Sequence, residues 1–307
     1  MITKALAKNV VEVWGADGER WLNDLPATLA AVARDWELTL GEPYELSYHY
    51  VTRADASDGT PAVLKLGLPN AESLAGEIPT LRAFDGRGAV RVLRDDLARG
   101  ALLLERATPG TRLRDLVPNR DEEATSALVS AMRRLHVPPP PGCPLPDAIT
   151  QVSAFDDYAS RLGESGPLPL DFVVRAGGLM RELCSDATER VVLHGDLHHD
   201  NVLSGTREPW LAIDPHGLVG DPGYDIGAFL YNPDPDDRDE ALTALVPARV
   251  EQVADELDLP LDRVIAWGFV KAVMSDVWTA EDWNPGDTRS PLSRAHDVAR
   301  LLHPRLS

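Results

Sequence analysis

The chain has 307 residues, of which 44% are hydrophobic and 26% charged, and its formal net charge is −19. This large excess of acids argues against a nucleic-acid partner, because binding of phosphates requires clustered cations. No apolar run is long enough to cross a bilayer and residues 1–20 lack the apolar core of a signal peptide, so we expect a cytoplasmic protein without a membrane partner.

The first part of the chain is predicted to contain a helix and a small antiparallel sheet. Residues 19–38 place apolar side chains at helical spacing and predict an amphipathic helix that is interrupted or begins near Pro26. A short helix is predicted within residues 70–84. Four segments rich in β-forming residues are predicted as strands, the first two joined by a turn at Asp58-Gly59: 44–54, 61–67, 88–96 and 100–108.

The second part of the chain is predicted to be mainly helical. Three segments have helical periodicity: 121–136, 151–163 and 171–187. A short apolar strand then leads into a polar loop at residues 194–201, and another strand ends at Asp214. From about residue 224 onward the pattern is again helical. The expected class is therefore α+β, with residues 1–105 as a sheet-containing lobe and residues 106–307 as a larger helical lobe.

The polar loop carries the most informative pattern in the chain. Its sequence, HGDLHHDN, fits His-x-Asp-x-x-x-x-Asn with His194, Asp196 and Asn201. Asp214 follows Asn201 by thirteen residues, after an apolar strand. Upstream, Lys65 lies in a predicted strand, and Glu77 follows twelve residues later in the predicted helix.

These residue types match the requirements of phosphoryl transfer from ATP. A carboxylate must orient the acceptor hydroxyl and accept its proton, which Asp196 could do. Asn201 and Asp214 offer the oxygen ligands that Mg²⁺ prefers. A lysine must reach the phosphates, held by a carboxylate on a helix, and Lys65 with Glu77 supplies that pair.

The order of these residues resembles that of the protein-kinase-like fold, and more closely that of the aminoglycoside phosphotransferases, whose catalytic loop commonly reads His-Gly-Asp. Within that family, residues 191–233 resemble the streptomycin 6-kinase and hydroxyurea phosphotransferase branch. The resemblance covers most of the chain from about Trp21. It implies a two-lobe fold, ATP or GTP as phosphate donor, Mg²⁺, and a small-molecule acceptor bound by a monomer or homodimer.

The resemblance also assigns nucleotide contacts. Protein kinases carry a glycine-rich loop over the phosphates, but no glycine lies between Glu45 and Asp58 here. Backbone N–H groups or the hydroxyls of Ser47 and Tyr48 would replace it. Main-chain groups at Glu105 and Ala107, where the two lobes join, are expected to contact adenine. Glu72 competes with Glu77 as the partner of Lys65.

The acceptor site is predicted from acids beside tryptophans near the C-terminus. Carboxylates pair with cationic groups, and indole rings cover sugar faces. His198 is added because of its place in the polar loop. Five residues of this segment form the predicted acceptor set: Asp276, Trp278, Glu281, Asp282 and Trp283. The alternative is an acid-rich surface turn whose tryptophans pack inward. Asp157 and Tyr158 form a weaker second candidate.

Two residues are expected to support the polar loop, and several functions remain to be compared. His194 is expected to brace the polar loop, and Asp225 to bind the backbone of that loop. The acceptor is expected to be a streptomycin-like cationic compound; an amino sugar such as glucosamine, or hydroxyurea, is the alternative. A zinc hydrolase is disfavoured because the adjacent His198 and His199 diverge on an extended loop. A nucleotide-binding protein without activity is disfavoured because none of the expected catalytic residues is missing.

Overall fold

The structure is a computed structural model that describes residues 2–284 and 291–306, without the side chains of residues 72 and 73. Its helices are α1 (Lys4–Asp35), α2 (Glu72–Phe84), α3 (Asp121–Leu135), α4 (Ser153–Arg161), α5 (Leu170–Ser185), α6 (Gly227–Tyr231), α7 (Glu240–Thr243), α8 (Val246–Leu257), α9 (Leu261–Thr279) and α10 (Arg294–Leu302). Its strands are β1 (Leu38–Pro43), β2 (Tyr50–Ala56), β3 (Pro61–Leu66), β4 (Val92–Asp96), β5 (Ala101–Glu105), β6 (Pro109–Arg112), β7 (Val191–Leu193), β8 (Val202–Gly205), β9 (Trp210–Ala212) and β10 (Leu218–Gly220). The predicted α+β class is confirmed.

A five-stranded antiparallel sheet, in the order β1-β2-β3-β5-β4, forms the first part of the protein. Successive side chains of a strand point to opposite faces, and β5 follows this rule. Ala101 and Leu103 pack in the cluster that contains α1, whereas Leu102 and Leu104 pack in the cluster that contains α2. Lys65 pairs with Leu102 in the register of β3 and β5. The side chain of Lys65 therefore lies on the same face of the sheet as α2.

The N-terminal helix is longer than the sequence pattern predicted. It begins at Lys4, is broken at Gly15, and continues through Pro26 to Asp35. Gly15 has φ +52° and ψ −128°, a conformation that glycine adopts without steric cost. Pro26 does not interrupt the helix, because the burial of Trp21, Leu25 and other apolar residues against the sheet offsets the lost backbone hydrogen bond.

The first strand of the sheet was missed by the sequence prediction. β1 lies at residues 38–43, whereas residues 44–49 form no strand and β2 begins at Tyr50. The segment 38–43 reads LTLGEP, and its glycine and proline are typical of turns. β1 is an edge strand with an irregular register between Leu40 and Pro43, which is where sheets tolerate such residues.

The second part of the protein packs around α9. Most of α9 between Val264 and Met274 is buried, and it contacts α5, α6, α8 and α10. A helix that is apolar on all sides is a core helix in a protein of this size. Within the described residues no helix is both long and apolar enough to cross a membrane.

A glycine in α2 sets how closely this helix approaches the second part of the protein. A Cβ atom on Gly76 would lie 2.3 Å from the carbonyl oxygen of His216. We expect Gly76→Ala to lower the free energy of unfolding by about 1–3 kcal/mol, because the helix must move away. Gly178→Ala in α5, where a Cβ meets nothing within 4 Å, is the control and should raise it by about 0.4–1 kcal/mol. Urea unfolding followed by circular dichroism compares the two, and equal stability of Gly76→Ala and the wild type would contradict the expectation.

Candidate active site

A hairpin brings Asn201 and Asp214 together. Val202 pairs with Ala212 in the antiparallel hairpin of β8 and β9, and the N–H of Ile213 donates to the carbonyl of Asn201 at 2.9 Å. Asn201 therefore directly precedes β8, while Asp214 follows β9 at the same end of the hairpin. Two residues that are thirteen apart in sequence therefore become neighbours at one end of this hairpin.

The loop of residues 194–201, here called the catalytic loop, is held by backbone contacts to the turn after Asp214. The loop follows β7, which pairs antiparallel with β10. The N–H groups of His216 and Gly217 donate to the carbonyl of His194 at 2.8 and 3.2 Å. The catalytic loop and the segment that carries Asp214 are thus fixed to one another.

Asp225 and His194 hold the catalytic loop from inside the protein. The carboxylate of Asp225 accepts hydrogen bonds from the N–H groups of His194 and Gly195 at 2.9 and 2.8 Å. The ring of His194 donates through Nε2 to the carbonyl of Ile213 at 2.9 Å, so its Nδ1 accepts from the N–H of Asp196 at 3.3 Å. Burial lowers the pKa of His194 below its usual value, which favours this neutral form.

Lys65 contacts two carboxylates, that of Glu77, its predicted partner, and that of Asp214. Its Nζ lies 2.6 Å from Oε2 of Glu77 and 3.0 Å from Oδ1 of Asp214. Burial would lower the pKa of Lys65, but the charges of Asp214 and Glu77 outweigh burial and raise it. The lysine is therefore ionised. The side chain of Glu72, the competing partner, lies outside the described part of the structure.

Asp196 lies beside Asn201 in the catalytic loop. The amide nitrogen of Asn201 donates to the carbonyl of Asp196 at 2.9 Å, and Nε2 of His198 lies 3.4 Å from Oδ2 of Asp196. Burial would raise the pKa of Asp196, but the hydrogen bond to His198 and the charges of His198, His216 and Lys271 hold it well below its usual value. Asp196 is therefore a carboxylate at neutral pH.

A cavity of about 890 Å³ opens between the sheet and the catalytic loop. It is lined by Lys65, Asn201 and Asp214, and by Ser47, Glu105 and Ala107 from the predicted nucleotide contacts. The carboxylate of Glu105 is bound by Arg207 at 2.8–2.9 Å, and the N–H of Glu105 donates to the carbonyl of Arg91 at 2.9 Å. Tyr48 is not among the lining residues, because its ring packs edge-on against Trp14 with ring centroids 6.5 Å apart.

His49 lines the same cavity, although the sequence pattern did not single it out. Burial lowers its pKa to about 3, with a further contribution from the charge of Lys65. The imidazole is therefore neutral. It lies just before β2, two residues ahead of Val51, and Val51 lies opposite Lys65 in the register of β2 and β3.

A second cavity, of about 600 Å³, lies on the other side of the catalytic loop. Gly195 and His216 line it, and Nε2 of His216 is 4.0 Å from Oδ2 of Asp196. Trp278 lines this cavity with 37% of its surface exposed. The cavity also includes Tyr224. Of the predicted acceptor residues in the described structure, Trp278 is the one that lines either of these two cavities.

The other predicted acceptor residues lie elsewhere. Asp276 is fully buried, and its Oδ1 accepts from the backbone N–H and hydroxyl of Ser293 at 3.1 and 2.8 Å, so it does not face a ligand. Trp283 packs on the core and lines neither cavity. Three further candidates are placed outside the two cavity walls: Glu281 and Asp282 at the surface, and His198 between Asp196 and Asn201.

The weaker acceptor candidates on α4 line neither of the two cavities. Asp157 is exposed at the surface. The hydroxyl of Tyr158 is buried and accepts a hydrogen bond from the N–H of Leu168 at 2.8 Å. This contact ties α4 to the chain that leads into α5, and it explains the burial of Tyr158 without a ligand.

The oxygen atoms near Lys65 fit a magnesium ion better than zinc. Asn201 uses its amide nitrogen to bind Asp196, which leaves its amide oxygen for a cation, and Asp214 supplies a carboxylate in the same cavity. Mg²⁺ is commonly held by one or two such groups together with substrate phosphates. Among the described residues no three His, Cys, Asp or Glu side chains are grouped to hold a metal ion, which disfavours the zinc alternative.

The fold and these residues define a phosphotransferase related to kinases. The sequence matches the aminoglycoside/hydroxyurea antibiotic resistance kinase family over residues 41–283. It is 32% identical to the streptomycin 6-kinase of Streptomyces griseus over 97% of both chains. It is 34% identical to the hydroxyurea phosphotransferase of Kitasatospora aureofaciens, over 94% of this chain and 82% of that relative. The chain therefore belongs to this family and is a small-molecule kinase.

The fold is shared with solved structures. One example is the aminoglycoside phosphotransferase of Streptomyces rimosus in complex with ADP and streptomycin, with a TM-score of 0.54 and 21% sequence identity. The match covers 81% of this chain and 97% of that structure. At this level of identity the similarity concerns the fold.

Proposed function

We propose that this protein transfers the γ-phosphate of ATP, with Mg²⁺, to a hydroxyl of a small polar, cationic acceptor of the streptomycin kind. The observation that carries the proposal is the connection of Lys65 to both Glu77 and Asp214 at the wall of the larger cavity. A buried ion pair of this kind is costly to desolvate, and it is the arrangement that kinases use to hold nucleotide phosphates.

In this proposal Asp196 acts on the acceptor. Its carboxylate orients the hydroxyl and takes its proton as the hydroxyl oxygen attacks the γ-phosphorus. The bond from that phosphorus to the β–γ bridging oxygen breaks, and ADP leaves. Lys65 binds the nucleotide phosphates. Asn201 and Asp214 would hold Mg²⁺, which neutralises charge on the phosphate oxygens when bound.

We also propose that the nucleotide base lies at the junction of the two lobes, with residues 1–105 and 106–307 on either side. Glu105 and Ala107 line the cavity there. In the described structure the N–H of Ala107 makes no hydrogen bond to another residue, so it is free to donate to a base. The walls nearby are apolar, including Val63 and Leu104, and would cover the faces of a purine. The same geometry would accept ATP or GTP.

We place the acceptor in the second cavity, because His216 lines it and Nε2 of His216 lies 4.0 Å from Oδ2 of Asp196. The relatives of this protein include a streptomycin 6-kinase and a hydroxyurea phosphotransferase. The described residues that line the cavity include no carboxylate. This composition favours a second candidate, an acceptor without a cationic group at this point, such as hydroxyurea.

An acceptor panel tests the proposal. Purified protein with ATP and Mg²⁺ is offered streptomycin, glucosamine or hydroxyurea, and ADP release is measured together with the mass of the product. We expect streptomycin to gain one phosphate. Trp278→Ala should raise the acceptor KM and leave the KM for ATP unchanged, while Leu261→Ala on the same helix serves as the control. ADP release with hydroxyurea alone would favour the second candidate, and no release with any acceptor would contradict the proposal.

A further inference from the structure

Lys271 is a buried cation in the middle of α9. It interrupts the apolar run AWGFVKAVM, and only 1% of its surface is exposed. Among the described residues its partners are one backbone carbonyl and two aromatic rings, and none of them is a carboxylate. Burying an ammonium group without a carboxylate partner is costly, so its presence in a core helix calls for an explanation.

The contacts of Lys271 point toward the catalytic loop. Its Nζ donates to the carbonyl of Gly195 at 3.2 Å, and lies 4.0 Å from the ring centroid of Tyr224 and 5.2 Å from that of Trp278. The side chain leaves α9 where this helix packs closely on α6, because a Cβ atom on Gly227 would lie 2.1 Å from the Cβ of Lys271.

The carbonyl that Lys271 binds belongs to the same peptide unit as the N–H of Asp196. Asp225 already binds the N–H of Gly195 at 2.8 Å. Gly195 is thus held on both sides, through its N–H by Asp225 and through its carbonyl by Lys271. It has φ +86°, in the left-handed region, so its two peptide units depend on these contacts for their orientation.

Lys271 also affects the charge at Asp196. Burial lowers the pKa of Lys271 to about 8, while Asp196 and Asp225 oppose that shift, so the ammonium form predominates at pH 7. Lys271 is in turn one of the cations that favour the ionised form of Asp196. Trp278 covers Lys271 and lines the second cavity, so the lysine lies directly beneath the proposed acceptor site.

We infer that Lys271 is a positioning residue for phosphotransfer, which binds the carbonyl of Gly195 and thereby orients Asp196 toward the acceptor. The inference rests on the proposed function, in which Asp196 takes the proton of the acceptor hydroxyl. Lys271 itself lines neither cavity and is not expected to touch ATP or the acceptor.

Lys271→Met tests the inference, because methionine keeps the length of the side chain and removes its charge and donor. We expect kcat to fall about 10- to 100-fold, since small displacements of a reacting group have effects of this size. The KM for ATP should stay within about twofold, because nucleotide contacts are untouched. The Tm should be unchanged or higher, because replacing a buried charge by an apolar residue of similar volume is often neutral or stabilising.

Two comparisons separate positioning from a general structural role. Arg263→Met removes another cation from α9, which donates to the carbonyl of Leu183 at 3.1 Å and forms an ion pair with Asp221, and it should leave kcat unchanged. Asp196→Asn combined with Lys271→Met should be no slower than Asp196→Asn alone, since Lys271 acts through Asp196. ADP formation is measured with streptomycin as the acceptor. If the protein does not phosphorylate streptomycin, ADP formation is measured with water as the acceptor.

The possible failures are distinguishable. A wild-type protein that forms no ADP from ATP overturns the proposed function and this inference with it. An active wild type with an equally active Lys271→Met variant overturns only the inference. A loss of activity that merely follows a lower folded fraction, measured by circular dichroism at the assay temperature, also overturns it.

Discussion

Asp196→Asn is expected to lower the rate of phosphotransfer about 10²- to 10⁴-fold, which is the range for loss of a positioned general base. Asparagine has nearly the same shape as aspartate but cannot accept the proton of the acceptor hydroxyl. The contacts of Asp196 through its own backbone, to His194 and Asn201, remain available in the variant. ADP release in the presence of a saturating acceptor measures the effect.

Nucleotide binding is the control for Asp196→Asn. The stabilisation of the protein by Mg²⁺ and ADP, measured as a shift in Tm, should match that of the wild type, because ligand binding to the folded state raises stability by mass action. A variant that keeps wild-type activity would contradict the role of Asp196. A variant that loses both activity and ADP stabilisation would show that its site is no longer formed.

Lys65→Met is expected to abolish measurable phosphotransfer and to destabilise the protein. The substitution removes the phosphate contact and leaves the buried carboxylate of Glu77 next to Asp214 without a cation. Removing one partner of a buried ion pair typically costs about 3–5 kcal/mol. Urea unfolding measures this loss, and the ADP-dependent shift in Tm should decrease as well.

The double variant Lys65→Met with Glu77→Leu is the matched control. It removes both members of the buried pair, so most of the stability should return, because a buried ion pair can be replaced by apolar residues at little cost. Activity should stay absent, since the phosphate contact is still missing. A double variant as unstable as Lys65→Met would show that the ion pair is not the cause of the instability.

The order of the elements around the site could be predicted because each has a strong local pattern. The α2 helix, with its acid at Glu77, and the apolar strands before Asp196 and Asp214 are indicated by their local sequences. The edge strand β1 and the start of α1 could not be predicted in this way. Their sequences are weak locally, and they form because α1 packs on one face of the sheet, a contact between segments far apart in sequence.

Lys65, Asn201 and Asp214 could be predicted to come together because their spacing matches a known order of chemical roles. The acceptor residues could not, because composition does not reveal which side of a helix faces a cavity. Asp276 and Trp278 are two residues apart on α9, so they lie on nearly opposite sides of the helix. Trp278 faces the second cavity, and Asp276 faces Ser293 inside the protein.

His49 and Lys271 were missed, although each left a signal. His49 lies two residues before Val51, which is opposite Lys65 in the register of β2 and β3. Lys271 is a lone charge within an apolar helical run, which is an unusual place for a lysine unless it has a specific partner. The identity of that partner, the carbonyl of Gly195, is a tertiary contact between residues 76 apart in sequence.

The two hydrogen bonds that Asp225 accepts from the catalytic loop order this loop during folding. Fixing a residue's backbone opposes folding by about 1–2 kcal/mol of conformational entropy. Because the carboxylate binds the N–H groups of His194 and Gly195 within the protein itself, this entropy is lost as the chain folds. The binding energy of incoming substrates is then not consumed in arranging the loop, and it remains available for bringing the two reacting groups together.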